Sequence, residues 1–306
     1  MTTRDLVRVH RLEYPFPVIY LCHALWGAAY AVTTPASLLA LPVVLAIVAN
    51  LMPLVTQNLL NGLLDVEADT HTPGKGSIAT ATVRLGRTRL IQWIVAEAAT
   101  ALLLALMVSV WVGRPLVVIA VAAGIVVELL YNMEPVRLKR RGYANPIFLG
   151  MHFSLLPCIG TFAAVRGDFP AWTWPLFLGI WMLLVGRTLW WSVPDVVGDA
   201  AAGDRTPAVR YGAVRALAVA CVVTACGLAL IGWGLWWHYG PLWSVVGVIS
   251  SGVFLIDKLG LLRRVRHTPG GNLPHDRHMR VHTLTLVMVS DILLVAIPLI
   301  ASVTSS

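Results

Sequence analysis

Runs of roughly twenty mostly apolar residues, separated by short polar breaks, constrain this chain more than anything else in it. A helix needs about that many residues to cross the hydrocarbon core of a bilayer. Nine such runs can be read, at about residues 15–34, 37–60, 90–112, 115–131, 146–165, 174–194, 213–236, 242–262 and 282–301. A water-soluble reading would need many more charges. Soluble domains carry roughly 25% charged residues, whereas here the share is 12% against 58% hydrophobic, with mean hydropathy +0.76. The expectation is an all-α, polytopic membrane bundle of about nine transmembrane helices, forming one domain over residues 1–306. Twelve Trp and seven Tyr suit anchoring at the lipid interface. The start of the chain (Arg4, Arg8, His10, Arg11) leads into a full-length span without a small-residue cleavage site, so no cleavable signal peptide is expected.

Orientation follows from where the cations fall. With the N-terminus in the cytoplasm, the opposite side keeps only Arg114 and Arg166, and Arg187 lies within a span. The remaining 20 of the 23 Lys and Arg then share the inner side. That asymmetry argues for a cytoplasmic N-terminus and an external C-terminus. It also explains the net charge of +8 without nucleic acid as a partner. Cys22, Cys158, Cys221 and Cys226 all fall in apolar runs with no CxxC spacing, and read as small packing residues.

The acids are concentrated as well. Six of the fifteen lie in two segments, Asn61-Gly-Leu-Leu-Asp65-Val-Glu67-Ala-Asp69 and Asp195-Val-Val-Gly-Asp199-Ala-Ala-Ala-Gly-Asp204. Both are at inner ends of spans, the second and the sixth. On a helix, positions four apart share a face, so Asn61, Asp65 and Asp69 would form a polar stripe about 12 Å long if the helix continues through Asp69. Asp195 and Asp199 would form a matching pair. Like carboxylates on neighbouring turns repel one another, and a divalent cation removes that penalty. Oxygen-only ligands suit Mg²⁺ rather than Zn²⁺. Since Mg²⁺ commonly bridges carboxylates to substrate phosphates, two facing stripes would hold a diphosphate between metal ions. One such motif alone reads better as a solvated helix end; two on the same side of the membrane, with an Asn one turn ahead of the first, favour the metal site.

In these motifs the chain resembles the UbiA-type intramembrane prenyltransferases, whose signature is NxxxDxxxD after the second span and DxxxD after the sixth. Three further stretches are similar: Arg11-Leu-Glu-Tyr-Pro15 to the family's opening element, Tyr131–Lys139 (YNMEPVRLK) with the following GYANPIFLG to its tyrosine–proline–lysine loop, and Pro194–Asp199 with Thr206 and Tyr211-Gly212 to its second motif and exit. The resemblance covers nearly the whole chain. It implies a Mg²⁺-dependent enzyme in which Asn61, Asp65, Asp69, Asp195 and Asp199 bind Mg²⁺ and an isoprenoid diphosphate. Lys75, Lys139, Arg140 and Arg11 would neutralise diphosphate oxygens, and Tyr131 would line the site. It further implies a cavity opening to membrane lipid, an aromatic or other lipophilic acceptor, and a bacterial-type inner membrane with the active site facing the cytoplasm. Two stretches depart from the family pattern and bear on the acceptor: His71–Ser77 lacks its Arg-Pro, and Arg187–Ser192 lacks the additional Asp of ubiquinone-type members. The alternative is a terpene cyclase of the same fold, which quenches the cation internally. A secondary transporter, with acids expected near mid-bilayer, is the remote alternative.

Arg187 is costly inside a span and should face the bundle interior, reaching either the diphosphate or a buried acid such as Glu128 or Asp291. Glu97 is a third acid within a span; any of the three could be a base that takes a proton from a cation, but structural pairing is the simpler role for all of them. Trp191, one turn before Asp195, would either line the cavity, where its ring face would stabilise a cation, or belong to the interfacial aromatic belt. His267, His275, His278 and His282 are too loosely spaced for zinc and read as a solvated loop.

Overall fold

A computed structural model describes residues 3–71, 76–267 and 282–304, and among these every regular element is helical, with no strand. A short N-terminal helix α1 (Thr3–Val9), α2 (Phe16–Ala31) and a 3-10 turn at Pro35–Leu39 precede the helix that carries the first motif. α3 (Leu41–Leu64) leads through α4 (Val66–His71) and α5 (Gly76–Leu85) to the long α6 (Arg87–Val112). α7 (Leu116–Asn132) follows, then α8 (Ala144–Gly150) and α9 (Leu156–Val165), which a π-helical turn at Met151–Leu155 joins into one rod. After α10 (Thr173–Trp191) come α11 (Val196–Ala201) and α12 (Pro207–Tyr211). The chain ends with α13 (Ala213–Tyr239), α14 (Pro241–His267) and α15 (Leu284–Thr304).

Six of these helical rods are long and apolar enough to cross a membrane; Phe16–Ala31 and Leu116–Asn132 are apolar but shorter. Their boundaries follow local chemistry. Pro42 and Pro241 stand in first turns, where a missing N–H costs nothing. Gly113 closes α6 in the left-handed conformation, its N–H bonded to the Ser109 carbonyl. α3 runs one turn beyond the apolar run that foretold it, so Asn61 belongs to the helix.

Large apolar side chains cover the outside. Ile256 is 71% exposed and Val110 75%, with Trp236 and Val222 also bare. Such a surface is stable in hydrocarbon and aggregation-prone in water. The interior packs on Trp26, Phe162, Phe177, Leu183, Ile231 and Leu294. Lipid supplies no hydrophobic drive between helices, so close approach through small residues carries much of the packing. α10 and α13 meet this way: a methyl group on Gly179 would fall 2.8 Å from the Gly227 carbonyl oxygen. α2 and α9 meet more tightly still, since a methyl group on Gly27 would lie 2.0 Å from the Cys158 carbonyl oxygen. Gly27→Ala is therefore expected to push α2 off α9 and destabilise the folded protein by about 1–3 kcal/mol. Thermal unfolding in detergent reads this directly; an unchanged melting temperature would refute the close-packing account.

All four cysteines are free thiols. Cys226 is the exception to the buried reading, because it faces outward from α13.

Candidate active site

The two acidic segments share one local architecture. α3 ends at Leu64, and Asp65 leaves helical geometry with φ −110° and ψ 12°. The hydrogen-bond ladder survives the bend: Asp65 N–H reaches the Asn61 carbonyl at 2.9 Å, and Asp69 N–H reaches the Asp65 carbonyl at 2.8 Å. The helix does not run unbroken through Asp69, the condition for a single stripe: it breaks at Asp65 and resumes as α4. The second segment repeats this. α10 stops at Trp191, a turn carries the chain to Asp195, and Asp199 N–H bonds the Asp195 carbonyl at 2.8 Å in α11. Each segment then passes through one short helix (α5 or α12) to a glycine, Gly86 with φ 80° and Gly212 with φ 85°, each with ψ 148°. That backbone conformation is open almost only to glycine.

α4 and α11 pack against each other, so the two motif arms meet rather than splay. Between and beneath them lies a cavity of about 320 Å³. Asn61, Asp65, Asp69, Asp195 and Asp199 all line it, together with Arg11, Tyr131, Lys139, Arg187 and Trp191. Of the other residues singled out in the sequence, Lys75 lies outside the described residues, as do His275 and His278. Arg140 is not among the lining side chains. Its Nε donates to Asp204 Oδ1 at 2.6 Å, and its Nη atoms reach Glu134 and the Ala202 carbonyl.

Two groups that the motif spacing left out bear on the site, one lining the cavity and one bonded to its acids. Asp204 lines the cavity, brought back by a turn in which Gly203 takes φ 71°. Arg137, itself left-handed at φ 35°, bonds Asp65 Oδ1 at 3.1 Å and lies 4.0 Å from Asp204 Oδ1. Lys139 bonds the other oxygen of Asp65 and stands 3.3 Å from Asp204 Oδ2. Asp65 and Lys139 are both buried. One loop between α7 and α8 therefore supplies two cations that tie the first motif to the second. The loop is itself held: Gly142 N–H bonds the Arg205 carbonyl, and Tyr143 stacks on Tyr211 at 4.7 Å. Thr206 donates to Asp199 Oδ2 at 2.9 Å, fixing that carboxylate.

Away from the acids, the wall becomes apolar and aromatic, with Phe16, Ile19, Tyr20, Leu149, Phe153 and Leu184. Arg187 lines this part and also donates to Asp291 Oδ1 at 2.6 Å and to Ser290 Oγ at 3.0 Å. Of the two partner acids considered, it takes Asp291. Glu97 accepts from Thr56 at 2.7 Å and meets His10 at 2.8 Å, a contact that fastens the N-terminal segment to the bundle.

The donor set fits Mg²⁺. Every candidate ligand is a hard oxygen. Among the described residues no three carboxylate, His or Cys groups stand close enough to hold a metal unaided. Mg²⁺ shared between one or two carboxylates and substrate phosphates makes no such demand. Chemically, the cavity has a polar mouth able to take a charged phosphorylated group and an apolar body able to take its hydrocarbon.

An all-helical membrane bundle with an acid-lined polar mouth over an apolar cavity defines the class. Residues 20–272 match the model of the UbiA prenyltransferase family, and the chain belongs to that family. Among solved structures, a UbiA homologue from Archaeoglobus fulgidus bound to GPP and Mg²⁺ superposes with TM-score 0.70 at 16% identity, covering 98% of this chain and 99% of that one. The same homologue bound to DMAPP and Mg²⁺ gives the same values. At this identity the likeness speaks for the fold alone. A curated relative, a lycopene elongase/hydratase from Haloarcula japonica, is 28% identical over 149 residues; the match spans 49% of this chain and 47% of that protein.

Proposed function

We propose that this chain is a Mg²⁺-dependent intramembrane prenyltransferase that ionises an isoprenoid diphosphate and passes the prenyl group to a lipophilic acceptor. The observation that carries the reading is convergence: two acidic motifs and Lys139 of a third loop line one cavity whose wall also carries a cluster of apolar and aromatic side chains. Asn61, Asp65, Asp69, Asp195 and Asp199 would hold the metal and the diphosphate. Mg²⁺, when bound, neutralises charge on the departing diphosphate and favours scission of the allylic C–O bond. Lys139 and Arg11, which line the cavity, are placed to add hydrogen bonds to the same oxygens as negative charge gathers on them; Arg137, bonded to Asp65, would position that carboxylate, and Lys75 is assigned the neutralising task by its place after the first motif. Arg140 fits a positioning role, holding Asp204 and hence the junction of the two arms. Tyr131 and Trp191 present aromatic surface to the hydrocarbon. The electron pair of the broken bond leaves with the diphosphate, and a carbon–carbon bond forms from the acceptor's π electrons.

The nine-span arrangement with a cytoplasmic N-terminus belongs to this reading, and puts the polar mouth on the cytoplasmic side of a bacterial-type inner membrane. The relative named as a lycopene elongase/hydratase favours an extended polyene over a polar quinone precursor as acceptor. The test is mass-spectrometric product analysis of the full chain with Mg²⁺ and a panel of prenyl diphosphates of increasing length, with and without polyene and aromatic acceptors. Prenylated acceptor is the expected product. A cyclic hydrocarbon or alcohol formed without any acceptor would identify a terpene cyclase, and would overturn transfer as the sole activity.

A further inference from the structure

On α2, His23 lines the apolar part of the cavity and is 3% exposed. Its Nε2 lies 3.2 Å from Asp291 Oδ2, while Nδ1 is buried with no hydrogen-bond partner. Asp291 is fully buried and held from two sides, by Arg187 on its other oxygen and by the Trp26 indole N–H on its backbone carbonyl at 3.4 Å. Asp291 accepts from the Arg187 guanidinium, so in the neutral imidazole the N–H is assigned to Nε2, facing Asp291. Nδ1 is then left with a lone pair and nothing in the protein to satisfy it. An unpaired buried polar atom is uncommon and calls for an explanation. Stacking on Trp26 at 4.5 Å and an edge contact to Phe153 at 6.2 Å fix the ring's plane.

We propose that His23, oriented by Asp291, is the base that ends the reaction by taking a proton from the carbocation, or from a water that captures it. The inference rests on the function proposed above. After the allylic C–O bond breaks and the new carbon–carbon bond forms, a positive charge remains on the joined hydrocarbon. A neighbouring C–H bond breaks, its electron pair forms the C=C bond, and the proton goes to Nδ1. Where water adds instead, its oxygen pair forms the C–O bond and its proton goes to the same nitrogen. Either way the imidazolium is balanced by Asp291 across the ring, an arrangement that favours accepting the proton. The base stands among aromatic walls, apart from the acid-lined mouth that would hold the diphosphate.

The experiment uses the full chain in detergent with Mg²⁺ and the prenyl diphosphate and acceptor that the product panel identifies, following diphosphate release and product composition together. His23→Gln keeps an amide N–H for Asp291 but has no base. Diphosphate release is expected to stay within about threefold of wild type, because C–O scission precedes proton loss. The normal product is expected to fall by about 10²-fold, replaced by misplaced alkenes and stray alcohols. His23→Ala should behave alike and recover the normal product with added imidazole but not with furan, a ring of like size and no basicity. If both variants release diphosphate and give the wild-type product composition, His23 is structural and the proposal fails alone. If the wild-type chain releases no diphosphate from any prenyl diphosphate, the parent reading fails and takes this one with it.

Discussion

Asp199→Asn is expected to lower kcat/KM for diphosphate release by about 10³-fold while leaving the protein folded. The substitution is nearly isosteric, and its amide oxygen can still accept from Thr206, which bonds Asp199 Oδ2 in the native site. What changes is one unit of negative charge at a cavity mouth where α4 and α11 meet. On the proposed reading, a metal shared between protein carboxylates and phosphate would lose a ligand and part of its electrostatic hold. Losing one preorganised electrostatic partner of a leaving group typically costs 10²–10³-fold, and loss of metal adds to that. The Mg²⁺ concentration for half-maximal rate should rise in parallel. Asp65→Asn should be as damaging to activity but less clean in stability, since Lys139 and Arg137 both lean on Asp65 and Lys139 would be left to Asp204, Arg137 to Asp204 and Glu134. Release at wild-type rates in both variants would remove the motifs from the mechanism.

The fold class was legible because it rests on bulk physics: a chain so poor in charge has few places to fold other than a bilayer. The motif faces were legible only in part. Spacing of four residues predicts a shared side whether or not the helix is continuous, so it could point at Asn61, Asp65 and Asp69 but could not show the break at Asp65. Asp204 was passed over because it stands five residues after Asp199, off the helical register; the turn through Gly203 that brings it back leaves no periodic trace. Arg137 sits in the Tyr131–Lys139 stretch, but nothing in that stretch singled it out as the partner of Asp65. Its left-handed backbone, which swings it onto Asp65, is set by the loop's tertiary setting. The same limit applies inside the spans. Helices apolar all round present no face to read, so which way His23 and Arg187 point could only come from three dimensions.

Arg187 is where the two readings of a buried charge separate. If its work were only to touch the diphosphate, Arg187→Met would cost activity and spare the fold. The geometry argues for more. Its Nη1 meets Asp291, 104 positions along the chain, at 2.6 Å, its Nη2 meets Ser290 at 3.0 Å, and Ser290 is linked in turn to Ser251 at 2.5 Å. α10, α14 and α15 are thereby joined at one buried node. Removing the guanidinium strands a fully buried carboxylate with only His23 beside it. Breaking a buried pair from one side typically costs about 3–5 kcal/mol, because the remaining charge cannot be solvated, whereas replacing both partners with apolar groups is often neutral. Arg187→Met is therefore expected to lose about 3–5 kcal/mol in chemical or thermal unfolding, and Arg187→Met with Asp291→Leu to regain most of it. The regained fold should still misdirect its product, because in the double variant His23 has lost the carboxylate that orients it. A single variant as stable as wild type would show that the ion pair is idle in folding. A double variant with both wild-type stability and wild-type product would show that it is idle in catalysis too.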